Sequence, residues 1–85
     1  MSKLTLDGRK RRRTPEQAFG DALRRLRNSA SLSQEALADA SGYHRTYIGQ
    51  LERGEKSPSL RTIFNLATVL GVKPSVMVRE AEKIS

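Results

Sequence analysis

A chain of 85 residues without a cysteine makes one small domain and excludes disulfides and thiolate zinc sites, and it is compatible with a reducing cytoplasm. No apolar run approaches the roughly 20 residues that cross a bilayer, and no hydrophobic segment follows the basic start, so nothing reads as a membrane span or a secretion signal. The formal charge of +7 favours polyanions without separating DNA from RNA or anionic lipid.

That charge is uneven. Lys3, Arg9, Lys10, Arg11, Arg12 and Arg13 against Asp7 give residues 1–13 a net +5 and leave +2 for residues 14–85. Residues 1–13 lack a sustained apolar period and end in a block of like charges, which predicts a flexible basic arm ahead of a domain at 14–85. Two roles fit this arm. It can serve as a solubilising tail, or Arg9, Lys10, Arg11, Arg12 and Arg13 can lie along phosphates or enter the minor groove, whose negative potential attracts Arg.

Thr14-Pro15-Glu16-Gln17 predicts a helix start, with Thr as cap, Pro at the first helical position and Gln17 completing a capping box. The helix should reach about Ser29 and bury Phe19, Leu23, Leu26 and Ala30, with Ala22 at the edge of the stripe. A second helix begins near Gln34 after the capping Ser33, places Ala36, Leu37 and Ala40 at helical spacing, and stops at Ser41-Gly42. A third follows at once, over about residues 44–53. Its apolar stripe is narrow, Ile48 and Leu51, so a polar flank of His44, Arg45, Thr46, Gly49, Gln50 and Arg53 stays free. Two helices joined so tightly cross steeply, and Ala38 supplies the small residue where the third approaches the second.

The Pro in Glu55-Lys56-Ser57-Pro58 keeps the loop extended until Ser59 caps a fourth helix. Leu60, Ile63, Phe64, Ala67 and Leu70 form its wide apolar face, which Leu66 can join, and Gly71 ends it. Lys73-Pro74 opens a fifth helix carrying Val76, Met77, Val78, Ala81 and Ile84. Three consecutive apolar residues subtend about 200°, so at least one of Val76, Met77 and Val78 faces away from the core. That one is either a stray apolar residue or part of a partner surface.

The segment from Gln34 to Arg53 resembles the helix-turn-helix of the lambda-repressor-like (Cro/C1-type, XRE) family. Gln34, Ala38, Gly42, Ile48 and Leu51 stand at its characteristic positions, and Glu52-Arg53-Gly54 with Ser57-Pro58-Ser59-Leu60 resembles its exit loop. The likeness extends over about residues 16–80. It implies an all-α, five-helix DNA-binding domain with a central helix-turn-helix, and a transcriptional regulator of double-stranded DNA. It also implies an ion pair between Arg27 and Glu52, and a homodimer contact through Val76, Met77, Val78 and Ala81 of the fifth helix. The segment His44-Arg45-Thr46-Tyr47-Ile48 is similar to the controller proteins of restriction-modification systems, beside phage-type repressors and antitoxins.

In such a fold the first residues of the third helix approach base edges in the major groove. Arg45 and Thr46 are the expected readers, Gln50 suits an adenine, and His44 can read a base, touch phosphate or cap the helix. Gln34, Tyr43, Tyr47, Arg53, Lys56 and Arg61 are phosphate candidates, each with solvated surface as the alternative; the Tyr43 ring can also pack on the turn. Gly49 reflects close approach to DNA or simple tolerance. One His, no Cys, no carboxylate cluster and no phosphate-binding glycine loop argue against an enzyme, a metal or a cofactor. No small-molecule ligand is expected, and the predicted location is the cytoplasm, on the nucleoid. Two other readings remain: an antitoxin or interaction module whose fifth helix binds a different protein, and an RNA-binding module, disfavoured by the lack of stacking aromatics on a sheet.

Overall fold

The structure is a computed structural model and describes residues 13–85. Of the basic arm it therefore includes Arg13; Arg9, Lys10, Arg11 and Arg12 lie outside the described residues. Five helices follow in order, α1 Pro15–Ser29, α2 Gln34–Ser41, α3 Arg45–Glu52, α4 Leu60–Leu70 and α5 Pro74–Ile84, with no strand among the described residues. Local chemistry sets their starts. The Thr14 hydroxyl accepts from the Gln17 N–H while the Gln17 side chain accepts from the Thr14 N–H, both at 3.0 Å. The Ser33 and Ser59 hydroxyls accept in the same way from the N–H groups of Ala36 and Thr62. Each bond satisfies a backbone donor that the first helical turn leaves unpaired.

The helices pack as a small cluster: α1 lies on α3 and α5, α2 on α3 and α4, and α4 on α5. Leu23, Leu37, Ile48, Leu51, Leu66 and Met77 are fully enclosed at the centre. The backbones of α1 and α3 approach closely. A Cβ built on Gly20 would stand 2.4 Å from the Leu51 carbonyl oxygen and 2.5 Å from that of Glu52, so only glycine lets the two backbones meet at this distance.

The buried faces differ from the simple periodic expectation at several positions. Ala22 is at the centre of the α1 contact rather than at its edge, because α1 is covered from two sides and buries Ala18, Phe19, Ala22 and Leu23. Ala30 is exposed, since it lies past the last turn of α1, and Ala40 is exposed because α2 turns Leu37 and Ala38 inward. In α4 the buried arc is Thr62, Leu66, Ala67 and Leu70, and Leu60 and Phe64 face outward at 71% and 52% exposure. In α5, Met77 is the core residue. It is therefore removed from the surface that α5 can offer a partner, while Val78 points outward.

Candidate nucleic-acid interface

The turn between α2 and α3 is Gly42-Tyr43-His44. Gly42 takes φ +79° in the left-handed region and its N–H bonds back to the Ala38 carbonyl, which ends α2 and redirects the chain within three residues;. From there α3 is held by Ile48 and Leu51, both fully buried. At about 100° per residue, Arg45, Thr46, Gly49, Gln50 and Arg53 then fall in one arc of about 140°. Arg45, Thr46 and Arg53 are exposed and Gln50 is half-buried, whereas Gly49, expected on the free flank, is buried with the Arg53 guanidinium against it. This arc is polar, lies opposite the Ile48–Leu51 anchor and starts at the helix N-terminus. His44 is the N-cap of α3 but its side chain makes no capping bond, which removes capping from the roles open to it.

Behind the arc, the last residue of α3 ties three elements together. The Glu52 side chain is fully buried. It accepts both arms of Arg27, Nε at Oε2 and Nη2 at Oε1, the latter at 3.0 Å. Gln34 Nε2 donates to Oε1 at 2.9 Å, and Arg24 Nε approaches the same oxygen at 3.5 Å. Arg27 uses its remaining arm on the Leu32 carbonyl at 2.9 Å, so it also holds the loop that enters α2. Burial pushes the Glu52 carboxyl up, but Arg27, Gln34 and Arg24 outweigh it and hold the group below the ordinary carboxylate value;. Arg27 is shifted up in turn, chiefly by its bond to Glu52. Gln34 thus commits its amide to Glu52, and what the start of α2 offers an anion is the backbone N–H groups of its first turn.

A second polar cluster fixes the turn against α4. The Tyr43 and Tyr47 rings meet edge to face, with centroids 5.3 Å apart. Their hydroxyls stand 3.4 and 3.3 Å from Thr62 Oγ1, which also accepts from Ser59 Oγ at 3.0 Å. Asn65 Nδ2 donates to the Tyr43 hydroxyl at 2.9 Å. Both tyrosines pack partly into the core. A phosphate contact from either hydroxyl would therefore join or replace a bond already made within the protein.

The remaining candidate side chains are solvent-facing. Lys56 and Arg61 are exposed, and Arg53 pairs with Glu55 at 2.7 Å. Arg13 pairs with Asp21 at 2.9 Å, which ties the root of the basic arm to α1. Among the described residues no group of His, Cys, Asp and Glu is placed to hold a metal, and no helix is long and apolar enough to cross a membrane. An open groove of about 290 Å³ lies between the start of α1, α4 and the end of α5, lined by Phe19, Pro58, Ile63, Val78 and Ala81 among others, with no residue of α2 or α3.

Some of this arrangement had no sequence signal. Thr62 and Asn65 look like ordinary exposed helix residues, and nothing local brings Tyr43 and Tyr47 to them. Arg24 did have one: it lies three residues before Arg27 on the same helix face, so both reach one partner.

The Helix-turn-helix family model matches residues 23–77. The chain is similar to Control protein C.SmaI of Serratia marcescens, with 41% identity over 69 residues covering 80% of this chain and 82% of that protein. Among solved structures it resembles the restriction-modification controller protein C.AhdI from Aeromonas hydrophila, with 46% identity, a TM-score of 0.70 and coverage of 72% of this chain and 92% of that one. It also resembles the clp gene regulator ClgR from C. glutamicum, with 28% identity, a TM-score of 0.83 and coverage of 87% and 95%.

Proposed function

The chain belongs to the XRE-type helix-turn-helix family of DNA-binding transcription regulators, and from that premise we propose that it binds a palindromic operator as a homodimer, in the manner of a restriction-modification controller protein. The observation that carries this reading is the outward polar arc of α3, with Arg45 and Thr46 exposed, anchored from behind by Ile48 and Leu51 and beginning at the helix N-terminus. An α-helix fits the major groove, where every base pair shows a distinct set of donors, acceptors and methyl groups. Arg45 suits the O6 and N7 of a guanine, Thr46 a thymine methyl or a polar edge, and Gln50 an adenine; His44 reaches a base or a phosphate beside them. Gln34 through its backbone, Tyr43, Tyr47, Arg53, Lys56 and Arg61 line the flanks as phosphate contacts, which position the domain without reading sequence. The arm residues Arg9 to Arg13 add charge to the same complex. The site of action is the cytoplasm, on the nucleoid.

A single α3 reads too few bases for strong discrimination. A two-fold dimer sets two such helices about 34 Å apart on one face of the duplex. Leu60, Phe64 and Val78 are the large apolar side chains left exposed on α4 and α5, and a second copy covers them together with Val76 and Ala81. This widens the fifth-helix surface to include α4 and drops Met77 from it.

Duplexes selected from a random pool test the reading and its symmetry together: a palindrome with half-sites one helical turn apart is expected, and a single unrepeated half-site contradicts the dimer. On the selected duplex, Arg45→Ala is expected to weaken binding by about 1 to 3 kcal/mol while changing affinity for random duplex much less. Equal losses on both would assign Arg45 to phosphate.

A further inference from the structure

We propose that Glu55 restrains the DNA-facing surface: its carboxylate occupies Arg53 in the place a DNA phosphate would take, so that the chain binds every duplex more weakly than its basic side chains allow. The inference rests on the DNA-reading role proposed for α3.

Arg53 is central to that surface. On the helical wheel it falls between the Arg45–Gly49 line and the Thr46–Gln50 line, in the middle of the outward arc. Its guanidinium folds back across α3, with Nη1 3.0 Å from where a Cβ on Gly49 would stand. Gly49 leaves room into which the guanidinium folds. From the other side Glu55 grips Arg53 through two bonds, Nε to Oε2 at 2.7 Å and Nη2 to Oε1 at 3.3 Å.

The pairing is built into the turn. Gly54, with φ +74°, reverses the chain between the two residues, and it lies so close to α1 that a Cβ there would meet Gln17 Cγ at 2.6 Å and Cα at 2.8 Å. Gly54 is fixed in that shape by packing, and residues 53 and 55 are brought side by side as a result. From Gly42 to Arg61 the chain has two carboxylates, Glu52 and Glu55. The first is buried under Arg27, so Glu55 is the one exposed to an approaching duplex.

A carboxylate and a phosphate take an arginine through the same two-pronged geometry, so one guanidinium edge cannot serve both at once. Both partners here are about half exposed, and exposed pairs of this kind separate at little cost. Glu55 therefore lowers affinity without closing the surface.

The test compares the wild-type chain, Glu55→Gln, Arg53→Ala and the double variant on a random-sequence duplex across a salt series. Glu55→Gln is expected to tighten binding about three- to fivefold and to steepen the salt dependence by about 0.9 in the log–log slope, the signature of one further phosphate contact. In the Arg53→Ala background the same substitution should have little effect, because the residue it releases is gone. Unchanged affinity for Glu55→Gln overturns the restraint. So does a full gain that persists without Arg53, since Glu55 would then act by plain repulsion. If none of the four proteins retains any duplex at low ionic strength, the DNA-reading role itself fails and the restraint fails with it.

Discussion

Glu52→Gln is expected to lower the free energy of unfolding by about 3 to 5 kcal/mol, because it leaves Arg27, whose side chain is only 12% exposed, without its buried counter-charge;. The substitution keeps the shape of the side chain and one acceptor oxygen, so the loss reads the charge rather than a cavity. A small domain has a total stability of only about 5 kcal/mol or somewhat more, so the variant should be partly unfolded at modest temperature in a denaturant titration. Replacing Arg27 and Glu52 together by apolar residues of similar volume should cost much less than the single change, as paired removal strands no charge. The same carboxylate gives the domain an acid limit. Burial alone would raise its proton affinity, but Arg27, Gln34 and Arg24 hold it below the ordinary value of 4.5. A folded-state pKa below the unfolded one contributes stability that is present above about 4.5 and is lost as pH falls through the folded value. Glu52→Gln should accordingly remove part of the acid-side slope in stability. A loss under about 1 kcal/mol and an unchanged slope would mean that this group is solvated.

Gly20→Val should cost about 3 kcal/mol or more, at or beyond the upper end of what overpacking ordinarily does. The atoms that a side chain at position 20 would strike are backbone: the Leu51 and Glu52 carbonyl oxygens at 2.4 and 2.5 Å and the Glu52 carbonyl carbon at 2.8 Å. No rotamer change relieves such a contact, so α1 and the last turn of α3 must separate, and with them the bonds of Arg27 and Arg24 to Glu52. The effect should extend to binding. Although Gly20 is enclosed and touches no ligand, displacing α3 moves Arg45, Thr46 and Gln50 as a unit, and affinity for the selected duplex should fall along with the thermal midpoint. Wild-type stability in this variant would contradict the close α1–α3 packing.

Four of the helices were legible because they carry their own boundary chemistry: Thr14, Ser33 and Ser59 as caps, Pro15 and Pro74 in first turns, and Gly42 and Gly71 past the ends. The turn of the helix-turn-helix and the free flank of α3 followed from Gly42 and from the narrow Ile48–Leu51 stripe. The phase of α4 did not follow. Its apolar residues, Leu60, Ile63, Phe64, Leu66, Ala67, Val69 and Leu70, cover more than half the circumference, so periodicity alone cannot say which edge is buried. Packing against both α2 and α5 decides it, and a hydroxyl cluster makes room for a buried threonine at position 62. The same limit hid Met77 between two valines. The Glu52 network was half legible: Arg27 came with the family resemblance and Arg24 lies three residues before it on the same helix face, whereas Gln34 reaches the carboxylate only once α2 and α3 are assembled. The Arg53–Glu55 pair depends on the shape of Gly54, which is set by a contact with Gln17 some 37 positions earlier, and such a contact leaves no local trace.

Amide chemical shifts of the labelled protein, followed as it is titrated with a duplex selected from a random pool, address the placement of α3 directly. The largest changes are expected at Arg45, Thr46 and Gln50, with smaller ones at Gly49 and Arg53 and at the first turn of α2. Changes confined to α4 and α5, with the outward arc of α3 silent at saturation, would show that this helix does not enter the groove.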